Sequence, residues 1–243
     1  MGAGLVKPVP QQVWSLHREG VSRPLGQAVD RAGAKAAVQV LMQDDFGKVA
    51  HGGFYRAGFR ANIREVDYLA GQLLVASPRL VDPNFVRTVV VLLNHDAQGA
   101  MGVVINRPSE LPVADYLPEW VDRLASPEVV FYGGPVEQTV AIGLRESPDT
   151  GVNSTPVPGL GMVHFGEDQP DLTDGRVRVF AGYAGWGPGQ LEEEIEEESW
   201  ITVPAFARDV FSSVPDEVWA EVLVRQGGQI ALLASMPLDP ELN

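Results

Sequence analysis

The sequence predicts an α+β protein, and three observations carry that prediction. Leu73–Ala76, Thr88–Leu93 and Val103–Ile105 are rich in Val, Leu and Ile yet too short for helices. Such runs read as strands buried on both faces. Between the second and third lies Asn94-His95-Asp96-Ala97-Gln98-Gly99-Ala100, polar and Gly-containing, which reads as the loop of an antiparallel hairpin. Further along, strands and short helices alternate without regular βαβ spacing, which argues against a doubly wound parallel sheet.

Residues 1–65 differ from the rest of the chain. Gly, Pro, Gln, Ala and Arg are mixed there without sustained apolar periodicity, so this stretch is expected to be a poorly structured N-terminal extension or to precede the true start. A short helix over Ala28–Met42 is the one element it suggests, weakened by Gly33. The folded body is expected over 66–243 as one compact domain. After the first strand, Asp82-Pro83 pairs a cap residue with proline at the first helical position, predicting a single turn through Asn84–Val86. Pro108, Pro112 and Pro118 allow only short helices such as Val113–Leu117. Strands are predicted at Val129–Tyr132, Thr139–Leu144, Met162–Phe165 and Arg176–Ala181, with a polar loop expected over Glu146–Pro158. Gly182 to Gly189 reads as a glycine-rich loop carrying Trp186, leading into a helix from Gln190 to Glu198. Trp200–Val203 reads as a strand. Pro215-Asp216 opens a last helix whose Val218, Trp219, Val222 and Leu223 form one apolar face.

Charge narrows the functional classes. The chain carries a net charge of −14, but residues 1–65 hold nine basic and five acidic residues, and 66–243 hold nine basic and 27 acidic. A body with a net charge of −18 repels phosphate backbones, so nucleic acid is not an expected partner. The absence of cysteine excludes disulfides and thiolate metal sites. No apolar span long enough for a membrane helix and no secretory signal are present, which predicts a cytoplasmic protein with no membrane association.

Polar residues collect at the predicted strand ends. Ser77, Asp82 and His95 contain the residue types of a hydrolase triad, but Ser77 stands before proline and not in a G-x-S-x-G elbow, so turn chemistry is the better reading. His51, His95 and His164 show none of the spacings of a metal site, and neither a metal nor a cofactor is expected. Gly133-Gly134-Pro135-Val136 comes after a strand as a phosphate loop would, yet lacks the Lys-Ser/Thr of a P-loop; close approach to a neighbouring strand is favoured over a ligand. On the acidic helix, Leu191 and Ile195 mark the buried stripe. Glu192, Glu193, Glu196 and Glu197 read as a solvated face, and Glu194 as the partner of a buried arginine such as Arg87 or Arg107. Asn106, Arg107, Gly133, Gly134 and Trp186 all stand at strand ends and are expected to border one ligand cleft, with His95 and Glu194 as further candidates. No catalytic residue is assigned.

The blocks Ser77-Pro78-x-Leu80-x-Asp82-Pro83-x-Phe85, His95 with Gly99-Ala100-Met101-Gly102, Asn106-Arg107-Pro108, Gly133-Gly134-Pro135-Val136, Gly182-Tyr183-Ala184-Gly185-Trp186, Gly189-Gln190-Leu191-Glu192-x-Glu194-Ile195 and Trp200 resemble, in order, the YqgE/AlgH family. The resemblance covers about residues 69–240. It implies a split, partly barrel-like, mostly antiparallel sheet surrounded by helices. It implies no agreed reaction, cofactor or catalytic residue, and one branch is named for regulation of alginate production. One departure is Asn94, where a Glu before the His is common; it argues against chemistry needing a carboxylate beside His95. The expectation is therefore a binding or regulatory protein for an unidentified protein partner or small ligand. A hydrolase acting through His95 is the alternative, and a DNA-binding regulator is disfavoured by the acidic body and the lack of a recognition helix.

Overall fold

The computed structural model describes residues 68–147, 154–165 and 175–237. The expected extension over 1–65, its helix at 28–42 and His51 lie outside the described residues, as does 148–153 of the loop expected over 146–158.

Nine strands form one sheet among the described residues: β1 (Gln72–Ala76), β2 (Val89–Asp96), β3 (Gly99–Val104), β4 (Pro108–Pro112), β5 (Val129–Tyr132), β6 (Val136–Glu146), β7 (Leu160–Val163), β8 (Val177–Trp186) and β9 (Trp200–Pro204). The order is β4-β5-β8-β3-β2-β1-β9, with β6 added to β8 and β7 to β6. Only β5 and β8 run parallel; every other strand pairing is antiparallel. Among the described residues four α-helices come late in the chain: α1 (Gln190–Glu196), α2 (Ala207–Val210), α3 (Val218–Gln226) and α4 (Gly228–Leu233), with short 3-10 turns at Val113–Asp115, Pro118–Arg123 and Pro215–Glu217. The α+β class and the split sheet therefore stand.

The split occurs along β8. Its first half pairs with β5 through Phe131↔Phe180 and with β6 from Arg145↔Val177 to Ala141↔Ala181. Its second half pairs with β3 from Gly102↔Ala184 to Ala100↔Trp186. At the changeover Gly182 adopts φ +71°, and a Cβ on Gly133 would stand 2.2 Å from the Gly182 carbonyl oxygen. Only glycine permits both the conformation and the approach.

The apolar runs behave as sheet physics requires. Leu73, Val75, Val89, Val91 and Val103 join one core beneath α3, whereas Leu74, Ala76, Val90, Leu92 and Val104 join a second beneath α1. A third cluster around Trp120, Val177 and Val179 fills the space under the 3-10 turns. On α3 the expected stripe of Val218, Trp219, Val222 and Leu223 is buried in full. The turn after Asp82 forms as predicted, with Asp82 Oδ1 accepting from the Asn84 amide.

Three readings need correction. The hairpin loop is only Ala97-Gln98: β2 runs through Asp96, whose Oδ1 accepts from the Gln98 amide, and Gly99 resumes the ladder at φ +126°. The glycine-rich stretch before α1 is strand to Trp186, because its glycines serve the close packing of β8 on its neighbours. Pro108–Pro112, read as chain breakers, forms β4; it pairs only with β5, and a sheet edge is where proline costs no ladder bond.

Candidate functional site

The side chain of His95 reaches its position through a β-bulge. The β2–β3 register shifts between Leu92 and Asn94, leaving Leu93 as the extra residue. Leu92 points into the α1-side core and Leu93 into the α3-side core. Strict alternation would then put residue 94 on the α1 side. The bulge moves that role to His95, which lies opposite Ala100, itself opposite Trp186, both in the α1-side core.

There His95 is enclosed, its side chain 1% exposed. Nδ1 accepts a hydrogen bond from the Leu69 amide at 3.0 Å. Because that amide can only donate, the ring proton belongs on Nε2, which donates to Glu192 Oε1 at 3.0 Å. Tyr68 meets the ring edge-on at 5.4 Å. Two expectations change here. Glu192 is not merely a solvated glutamate, and a carboxylate does stand beside His95, supplied by α1 from 97 residues away. Among the described residues no nucleophile bonds the ring: Ser77 Oγ accepts from the Arg79 amide, and Asp82 caps its own turn.

Among the described residues Glu194 has no arginine partner. Its Oε2 accepts from the indoles of Trp186 at 2.9 Å and Trp200 at 2.8 Å, and its Oε1 from Gln190 Nε2 at 2.9 Å. The reason is topological: α1 bridges the end of β8 to the start of β9, so both indoles flank its buried stripe. Phe85 stacks on Trp186 and meets Trp200 edge-on. The two arginines proposed for Glu194 are engaged elsewhere. Arg87 donates to the Met236 carbonyl and lies 4.6 Å from the Trp219 ring centroid. Arg107 donates to the carbonyls of Pro83 and Val86, and burial holds its guanidinium below the ordinary arginine range, partly offset by Asp82. Asn106 accepts from the Val89 amide and donates to the Arg87 carbonyl, tying the end of β3 to the start of β2. Arg87 is held at φ +52°, so this clamp secures a left-handed residue.

Apart from Asn106 in its clamp between β3 and β2, the candidates fall into two groups. His95, Trp186 and Glu194 share the α1 face of the sheet, and Arg107 reaches the turn whose Phe85 packs there. Gly133 and Gly134 lie against the backbone of β8, where added Cβ atoms would stand 2.2 Å from Gly182 O and Tyr183 C. Neither of the two described concavities is lined by any of the seven residues.

The larger concavity lies between α2 and α3, with a volume of about 460 Å³ and Arg208, Asp209, Ser212, Ser213, Glu221 and Arg225 on its walls. Asp209 is buried, accepts from both terminal nitrogens of Arg225 at 2.6 and 3.0 Å, and also from the Phe206 amide. The sequence signal was slight: an Asp three residues into a four-residue helix, and an arginine sixteen residues later. Among the described residues no group of three or more His, Cys, Asp or Glu side chains could hold a metal ion. No described helix is long and apolar enough to cross a membrane.

Comparison with known proteins agrees with this architecture. A family model described as AlgH-like matches residues 73–231. A UPF0301 protein of Streptomyces coelicolor is 45% identical over 194 residues, covering 75% of this chain and all of the relative. Another from Thermobifida fusca is 43% identical over 190 residues, covering 72% of this chain and 96% of its own. The crystal structure of a Corynebacterium diphtheriae protein superposes with a TM-score of 0.64 at 29% identity, over 69% of this chain and 92% of that one. The solution structure of the AlgH protein from Pseudomonas aeruginosa superposes with a TM-score of 0.53 at 31% identity, over 74% and 98%.

Proposed function

The chain belongs to the AlgH-like family, and we propose that it acts in the cytoplasm as a binding or regulatory protein for a protein partner or small ligand, not as an enzyme. One observation carries the reading. Both ring nitrogens of His95, the residue best suited to general base chemistry, are engaged by the Leu69 amide and Glu192. A base must offer a free lone pair within reach of the proton it takes, and Nδ1 has given its lone pair to the backbone. Asn106, Arg107, Trp186 and Glu194 are likewise engaged inside the fold, which favours a rigid framework that presents a surface.

The hydrolase alternative gains a carboxylate in Glu192, but among the described residues nothing nucleophilic bonds His95. The DNA-binding alternative must overcome a net charge of −14. Affinity capture with the full chain from native lysate, with mass spectrometry and metabolite profiling of the eluate, tests the proposal. A reproducible partner or metabolite is expected. Recovering neither, alongside ester or amide hydrolysis that H95Q abolishes, would replace the binding reading with the enzymatic one.

A further inference from the structure

The concavity between α2 and α3 has the size of a small-molecule site, for which about 300–1,000 Å³ is usual. Four charged side chains line it: Arg208, Asp209, Glu221 and Arg225. They are not equivalent. Asp209 and Arg225 neutralise each other in a two-pronged pair with side chains 7% and 22% exposed. Arg208 and Glu221 remain, both exposed, and neither has an ion-pair partner among the described residues. They come from different helices, one offering a free cation and the other a free anion to the same space.

The Arg208 guanidinium is backed by an aromatic ring. It lies 4.6 Å from the Phe206 centroid, and Arg225 lies 4.8 Å from that same ring. Stacking on Phe206 restrains a side chain that would otherwise sample many rotamers, which lowers the cost of ordering it around a ligand. Phe211 and Val218 add an apolar patch to the lining, and Ser213 adds an exposed hydroxyl.

Resting on the binding reading above, we propose that this concavity binds a small zwitterion of the amino-acid class, its carboxylate on Arg208 and its ammonium on Glu221. The charge balance selects this class. With Asp209 and Arg225 cancelled, the lining is neutral overall and offers one unpaired charge of each sign. A net anion would meet Glu221 and the field of an acidic body, whereas a net cation would meet Arg208; a zwitterion is subject to neither repulsion. The planar guanidinium can take a carboxylate through two parallel hydrogen bonds, while the apolar lining receives a side chain.

Thermal shift of the full chain against a panel of the standard L-amino acids at millimolar concentration provides the test. The best of them is then compared with its decarboxylated amine and its deaminated acid. At least one amino acid is expected to raise Tm, and neither single-charge analogue to do so. R208Q and E221Q, checked for folding by circular dichroism, should each weaken binding about tenfold or more, the scale of a lost charge-assisted bond. No shift with any amino acid overturns the proposal, as does a shift that survives in both variants or is reproduced by either analogue. If the panel fails while native-lysate capture still returns a partner or metabolite, only this assignment falls. If capture fails too, the binding reading falls with it.

Discussion

Arg178 is an arginine in a place where a charge is expensive. Its residue is 2% exposed, and its guanidinium lies 4.3 Å from the Phe131 centroid. Burial first, and Arg176 second, push its pKa down to about 10, so it still carries its charge at neutral pH. Among the described residues no carboxylate answers it; the carbonyls of Val210, Ser212 and Ser126 do. Removing the side chain would orphan those acceptors, at about 1–3 kcal/mol for each one left buried and unmet. R178M is therefore expected to lower unfolding stability by about 3 kcal/mol in urea titration, with R178K losing less because an ammonium can satisfy some of the carbonyls. Glu146 makes the opposite case. Its hydrogen bonds to Arg176 hold its carboxyl below the ordinary value of 4.5, so its contribution is fully present above that value and is lost as pH falls through the lowered one. Arg176 is exposed and Glu146 about a third exposed, so solvent screens the pair and the effect should stay below about 1 kcal/mol. Stability measured from about pH 6 down to about pH 3 should show a shallower acid-side loss in E146Q than in the unaltered chain. Both roles escape a sequence reading, because nothing local marks Arg178 as buried or Arg176 as the neighbour of a residue thirty positions earlier.

At the scale of elements, α1 shows how far local reasoning reaches. Spacing alone identifies Leu191 and Ile195 as the buried stripe, and both pack into the core on that face. It does not identify the partners of the glutamates between and beside them. Glu194 receives three neutral donors from Trp186, Trp200 and Gln190, and so fastens the helix to β8 and β9 at once. E194A leaves two indole N–H groups unmet, and a loss of about 2–3 kcal/mol is expected in chemical denaturation, together with a changed tryptophan emission in the folded state. E194Q should fall between, since its amide keeps one acceptor oxygen. Arg79 meets Glu198 just beyond the helix, so even the exposed end of the acidic run is answered from outside the element. The bulge at Leu93 belongs to this scale too. Without it His95 would face α3, and the Glu192 contact would not exist.

For the whole molecule, the organising strand is β8, which carries β3, β5 and β6 along its length. A strand paired on both edges with a buried residue at nearly every second position opens only when the domain unfolds. By contrast, α4 buries no side chain completely, and Leu232 on it is 68% exposed. Hydrogen exchange should find the amides of β2, β3 and β8 protected to the limit of global stability, while those of Gly228–Leu233 exchange through local opening at lower free energy. Uniform protection across α4 and β8 would contradict this hierarchy.

Local sequence was enough to establish the α+β class, the two-faced burial of β1 to β3, the apolar stripe of α3 and the membership of the family whose blocks the chain carries. Those features arise from period, composition and turn chemistry, which act between residues close in the chain. Folding in three dimensions was needed to show that β8 continues to Trp186, that His95 faces Glu192, that Glu194 serves two indoles and that Arg208 and Glu221 share a concavity. Each of these depends on a bulge, a changeover glycine or a contact between distant segments, and side chains so far apart in sequence acquire neighbours only when the sheet is complete.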